Sequence, residues 1–178
     1  YDFDLAEATR RLGYLHDLGV DWVYLSPLLA AEPGSDHGYD VVSHKTVDPA
    51  RGGHEGRVAL SAEARRLVVG VLVDIVPSFV GAATPEKNAW WWGLLKHGER
   101  SAYARAFDVD WAFGDGRVRI PVVGDDDRSP EGGPTRNLRV EGDALVYHDH
   151  RFPLAPGSAD DGAGADEVHE RQHYELVN

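Results

Sequence analysis

The chain has 178 residues, with 30 acidic against 18 basic side chains for a net charge of −12, and 42% of it is hydrophobic. That apolar content supplies a core and excludes wholesale disorder, while the charge argues against nucleic acid and anionic membranes as partners, because nothing offsets the phosphate electrostatics. The lack of cysteine excludes disulfides, thiolate zinc sites and a Cys nucleophile.

No run approaches the roughly 18 apolar residues of a membrane span, and the N-terminus carries no export signal. A cytoplasmic location is therefore expected. The chain opens at Tyr1 and contains no methionine, so a piece of a longer translation product is expected.

In chain order, "DFDLAEATRRLGYLHDLG" places Leu5, Ala8, Leu12, Leu15 and Leu18 at helical spacing. Asp4 with Glu7 has the form of a capping box, and Gly19 that of a C-terminal cap. "VDWVYLSPLL" reads as a buried strand that stops at Pro27. "AAEPGSDHGYDVVSHKTVDPARGG" reads as a long loop, and long loops in compact domains are commonly functional. "HEGRVALSAEARRL" predicts a second helix. "VVGVLVDIVPSFV", residues 68 to 80, predicts a continuous apolar strand of the parallel, doubly covered kind, which delivers Asp74 to its exit.

Helix, strand, loop, helix, strand is the order of an α/β fold, where ligands bind at the carboxyl ends of strands. The alternation stops after Phe79. "ATPEKNAWWWGLLKHGERSAYARAFDVDW" predicts a short helix or two. "GRVRIPVV" and "RNLRVEGDALVYHDHRF" predict short strands, the latter turning at Gly142-Asp143. "APGSADDGAGAD" has the composition of a mobile linker, and "EVHERQHYEL" that of a last helix. No internal repeat is visible.

Several motifs carry chemistry. "HERQH" matches H-E-x-x-H, which on a helix would put His169 and His173 on one face for zinc, with Glu170 as general base. A third ligand usually lies downstream, however, and only five residues remain. His148 and His150, two apart on an expected strand, are another possible metal pair; a polar hairpin face explains them better. "SDHGYD" gathers His37, Tyr39 and Asp40 at the carboxyl edge, an aromatic and carboxylate mixture that suits a sugar, against the plainer reading of an Asx-type turn. Trp90, Trp91 and Trp92 cannot all face one core, so at least one is exposed or stacks on a ligand or a neighbour.

These blocks together resemble one family. "DLGVDWVYLSPLLAAEPGSDHGYDVV", "VGVLVDIVPSFV", "WWWGLLKHG", "YARAFDVDW", "VRIPVVG", "YHDHRFPLAPG" and "ERQHYEL" are similar to successive signatures of the maltooligosyltrehalose synthases, within the α-amylase group of glycoside hydrolases. The similarity runs from Asp4 to Leu176, and "DHRFPLAPG" and "RQHY" are more specific than the general "HGYD". The resemblance assigns no metal to the "ERQHY" block.

The resemblance implies an α/β fold that is part of a (β/α)8 TIM barrel, incomplete in this chain, with a smaller domain inserted after the third barrel strand. Residues 1–80 would be barrel, and 81–178 the inserted domain and the start of the return. It implies an isomerase that converts the reducing-end α-1,4 link of a maltooligosaccharide into an α,α-1,1 trehalose link by intramolecular retaining transglycosylation, with no cofactor, and a trehalohydrolase acting next. The substrate would be a maltooligosaccharide or another α-1,4-glucan.

Under the resemblance, His37, Tyr39, Asp40 and Asp74 would bind substrate, with Tyr39 stacking on the sugar. Asp74 would support the arginine that precedes the nucleophile. The nucleophile and acid/base are expected beyond Asn178, leaving the isolated chain inactive. The family follows "DIVP" with Asn-His; Ser78 and Phe79 stand there instead, and Phe79 cannot hydrogen-bond a sugar hydroxyl. A non-catalytic remnant or glucan-binding protein is therefore the alternative, followed by an amylase-type hydrolase and, last, a zinc hydrolase.

Overall fold

The computed structural model describes residues 3–127, 129–130, 134 and 137–178. The chain divides into two compact units, Tyr1–Ala82 and Ala83–Asn178.

The first unit opens with α1, Leu5–Asp17. Asp4 caps it by accepting the Glu7 N–H at 2.8 Å. Glu7 does not complete a capping box, because its carboxylate pairs with Arg10 and Arg11 instead. At the other end Gly19, with φ +82°, lets its N–H reach the His16 carbonyl while the Val20 N–H reaches Leu15, a Schellman arrangement. Leu5 and Leu12 are buried, whereas Leu18, counted on the apolar stripe, is exposed: it is the cap residue, and the chain turns there.

β1, Trp22–Leu25, forms where a strand was expected but is not buried: exposed and half-buried residues alternate along it. The expected loop after Pro27 is instead largely structured. Leu29–Ala31 (β2) and Val41–Val47 (β3) pair antiparallel with irregular register. The β-branched run of "VVSHKTV" outweighs the flanking glycines and prolines.

α2 spans Gly53–Leu67. It ends at Val68, whose left-handed conformation, φ +58°, removes it from the strand predicted to begin there. The strand β4 is only Gly70–Val73. β4 lies parallel to β1, Trp22 facing Gly70 and Leu25 facing Val73. Val23, Leu25 and Val71 pack onto Leu5, Leu12, Leu60 and Ala64 of the two helices. Alternation turns Trp22, Tyr24 and Leu72 to the other face, where all three are exposed.

In the second unit, Asn88 caps α3, Ala89–His97, accepting the N–H groups of Trp90 and Trp91. Val118–Pro121 (β5) pairs parallel with Tyr174–Val177, the last strand. Leu138–Glu141 (β6), Ala144–Tyr147 (β7) and His150–Pro153 (β8) form an antiparallel meander. Its first turn is the expected Gly142-Asp143; the Arg136 end of the predicted strand lies outside the described residues. A short helix, α4, covers Ala165–Glu170, and the last strand is β9. Twelve buried residues, among them Leu94, Tyr147, Phe152, Val168, Tyr174 and Leu176, form one core.

Residues expected to form a mobile linker are tied down. Arg171 donates to the Ser158 carbonyl and to Asp161, and Gln172 joins the Ala155 N–H, accepted by Oε1, to the Ser158 hydroxyl. Small-residue composition predicts mobility only where no side chain reaches back.

Candidate functional site

The parallel register brings the carboxyl ends of β1 and β4 level, and the Asp74 N–H donates to the Leu25 carbonyl at 2.9 Å, fixing the exit of the second strand. Tyr24 and Asp74 share a face. The Tyr24 hydroxyl donates to Asp74 Oδ2 at 2.5 Å, and the Tyr39 hydroxyl donates to the same oxygen at 2.6 Å. Two phenols on one carboxylate oxygen favour its ionised form, since hydrogen bonds to the charged state stabilise it.

Asp74 is accordingly held below the usual carboxylate range by Tyr24 and then Tyr39. Tyr24 is pushed up to about 12 by the same contact, and Tyr39 is raised likewise.

Tyr39 reaches Asp74 because its turn is locked from behind. Arg51 and Asp48, both buried, pair at 3.2 Å. Arg51 also donates to the Ser35 carbonyl at 3.1 Å, and the Gly38 N–H donates to the Ser35 hydroxyl. Gly38 sits at φ +81°, and a Cβ there would lie 2.8 Å from both Arg51 Nη2 and the Pro27 carbonyl. Only glycine meets both demands.

Asp40 accepts from the Ser35 hydroxyl. His37 Nδ1 accepts the Tyr39 N–H at 3.0 Å, which assigns the proton to Nε2, and its ring stands 6.0 Å from that of Tyr39. The carboxyl edge thus presents an imidazole, two phenol rings and two carboxylates.

The hairpin brings His37, Tyr39 and Asp40 into one turn, and hydrogen bonding joins Tyr39 to Asp74. Tyr24 was not singled out by sequence reasoning; the period-2 alternation that puts it on the Asp74 face was the available signal.

Ser78 and Phe79 lie beyond Asp74 in an irregular segment. It is pinned by the Gly81 N–H donating to the Val41 carbonyl at 2.8 Å. Both are exposed, and neither side chain hydrogen-bonds among the described residues.

The other motifs resolve otherwise. α4 stops at Glu170, so "HERQH" is not one helix, and His169 and His173 occupy different elements. His169 is buried and its Nε2 accepts the Leu176 N–H at 3.0 Å, which removes the lone pair zinc would need. Burial above all, and then Arg117, lower its pKa. Among the described residues no group of three His, Asp or Glu side chains could hold a metal ion. His148 and His150 do not share a strand, because the chain turns at His148 (φ +49°) and Asp149 between β7 and β8. Trp90 stacks on Tyr103 and Trp91 tilts against Phe107. No helix among the described residues is long and apolar enough to cross a membrane.

Chemically, the edge offers a ring for the apolar face of a sugar and carboxylate acceptors for its hydroxyls. Glycoside cleavage needs a protonated acid opposite a nucleophile or base, whereas the Asp74 carboxylate is stabilised as the anion.

The sequence pattern of the alpha amylase catalytic domain matches residues 3–114. A "Putative maltooligosyl trehalose synthase" of Mycobacterium tuberculosis is 51% identical over 177 residues, 99% of this chain and 22% of that protein. The "structure of maltooligosyltrehalose synthase from Arthrobacter ramosus" superposes with a TM-score of 0.92 at 55% identity, covering 99% of this chain and 22% of that one. A hypothetical maltooligosyl trehalose synthase of Sulfolobus tokodaii superposes at 0.84 with 33% identity, over 99% and 24%. The chain spans about a fifth of the length of these relatives.

Proposed function

The chain belongs to the alpha-amylase family, so its parallel strands are part of a (β/α)8 barrel, and on that premise we propose that it is a segment of a maltooligosyltrehalose synthase. The whole enzyme would break the bond between C1 of the penultimate glucose and O4 of the reducing-end glucose. It would then join that C1 to O1 of the same terminal glucose. A carboxylate holds C1 covalently in between; a second carboxyl protonates the leaving O4 and later takes the proton from O1. Neither water nor a cofactor enters the balance, so water must be kept out. The two catalytic carboxyls would come from outside these 178 residues, and the substrate is a maltooligosaccharide or other α-1,4-glucan.

The observation that carries this reading is 51% identity sustained over 99% of the chain, including the second unit, where the broader family pattern stops at residue 114. In this reading residues 81–178 are the inserted domain and the start of the return to the barrel. Tyr39 stacks on the sugar beside His37, Asp40 orders that wall, and Asp74 holds the cationic side chain that orients the nucleophile. Tyr24 positions Asp74.

The test is to give the full-length protein that carries this chain maltopentaose. Loss of reducing ends without release of glucose is expected. A rise in reducing ends would identify an amylase-type hydrolase instead. Ser78 and Phe79 favour a second reading, glucan binding without turnover, since a lost hydrogen bond to a transition-state hydroxyl costs about 1–3 kcal/mol, tenfold to hundredfold in rate. Maltopentaose bound with unchanged reducing ends would select it. Restoring Asn and His at 78 and 79 should then raise kcat.

A further inference from the structure

The second unit contains an open pocket of about 330 Å³ that neither the reaction nor the carboxyl edge uses. Its apolar wall is aromatic: Trp91 and Phe107, rings 5.5 Å apart, and Phe113, which is 69% exposed. The Phe113 ring is thus open to stack on the apolar face of a ligand.

The polar wall has both donors and acceptors. Arg119 lies over one face of Phe113, 4.9 Å from its centroid. Arg119 and Arg117 share a single oxygen of Glu175 at 3.4 and 3.5 Å, leaving most of their N–H groups for a ligand. Of the pocket's acids, Asp108 is exposed and hydrogen-bonds nothing among the described residues, and Asp110 spends one oxygen on the Phe113 N–H at 3.0 Å. Two guanidinium groups against three carboxylates leave the pocket close to neutral. That disfavours a phosphate or other anion and suits a neutral polyol with an apolar ring face.

The geometry points to a second glucan-binding site here, with Phe113 as the stacking platform, Asp108 and Asp110 accepting sugar hydroxyls, and Arg117 and Arg119 donating to them. The choice of an α-1,4-glucan over other neutral sugars rests on the proposed substrate. The site would hold a glucan through contacts separate from those of Tyr39 and Asp74.

The test titrates maltoheptaose into a Tyr39→Ala form of the full-length protein, which weakens the carboxyl-edge site, and follows tryptophan fluorescence, to which Trp91 contributes. A saturable change is expected, weakened on the order of fivefold to tenfold by adding Phe113→Ala and reduced by Asp108→Asn. Both are exposed positions where substitution leaves folding largely untouched. In the protein with Tyr39 intact, Phe113→Ala should raise KM for amylose severalfold while leaving kcat and the KM for maltotetraose unchanged.

No saturable change in the Tyr39→Ala form, or one indifferent to Phe113, overturns the site. Equal binding of cellooligosaccharides overturns the choice of ligand class. If the full-length protein fails to rearrange maltopentaose but Phe113-dependent glucan binding persists, the substrate reaction falls and this site stands.

Discussion

The two units bury their apolar residues in different ways. In Ala83–Asn178 two short helices, a parallel strand pair and a three-stranded meander pack their buried residues into one core. In Tyr1–Ala82 two helices cover one face of β1 and β4 with Leu5, Leu12, Leu60 and Ala64, while Trp22, Tyr24 and Leu72 stand exposed on the other. A unit with its own closed core unfolds as an independent domain does. A two-stranded slice of a barrel has an inner face that only further strands fill. It also has sheet edges open to association.

The comparison breaks most easily at Phe152, 1% exposed in the second core. Phe152→Ala should cost about 3–5 kcal/mol and unfold the second unit, with the first left as it was. Chemical denaturation followed separately by probes in each unit would show it, and a simultaneous loss of both would mean that they fold as one.

Gly81→Ala tests the first unit at a crossing of two chain segments. The new methyl would lie 2.7 Å from the Asp40 carbonyl and 2.8 Å from Glu32 Cγ. A cost of about 1–3 kcal/mol is expected, with maltopentaose affinity falling as the Tyr39 turn shifts. Unchanged affinity in a binding titration would separate that turn from the site.

Acid should sharpen the contrast, because a buried histidine belongs to the second unit alone. His169 is held below its ordinary value, so the unfolded chain takes up a proton near pH 6.5 that the folded unit refuses. Stability from this group is full above that pH and drains away as pH falls through the interval down to the lowered folded value. His169→Gln keeps an acceptor for the Leu176 N–H and cannot titrate. It should flatten the pH 7 to 5 stability profile of the second unit, measured by denaturant midpoints; an unchanged profile would assign the acid sensitivity elsewhere.

The smallest effect is expected at Leu72, 54% exposed on the bare face. Leu72→Lys in this chain should change stability by no more than about 0.5 kcal/mol, while light scattering shows less self-association. A loss like that of Phe152→Ala would show the face to be covered.

Much of this was legible in the sequence, because the signals were local. α1 and its cap at Asp4, α2, the two parallel strands and the 142–143 turn followed from periodicity and turn chemistry. Asp74 at a strand exit and Tyr39 in the "HGYD" turn followed from composition at a carboxyl edge.

What was not legible depended on partners distant in the chain. Val68 reads as the first of a strand's valines, yet it takes the left-handed cap of α2 while Gly70 leaves room for the Trp22 ring, which would lie 2.4 Å from a Cβ. "HERQH" has helical spacing, but β9 recruits the chain immediately after it through the pairing with β5. The acidic linker is ordered by Arg171 and Gln172. Tyr24 looked like core because nothing local announces a hydroxyl aimed 50 residues ahead.

The glycines behind the Tyr39 turn bear on how such a protein drifts. At Gly38 and Gly81 the obstacles include main-chain carbonyls, of Pro27 and Asp40, beside the Arg51 and Glu32 side chains, and a compensating side-chain change moves only the latter. At 78 and 79 the side chains face solvent. A lineage could therefore exchange the groups that grip a sugar long before it could add one methyl to the wall behind them.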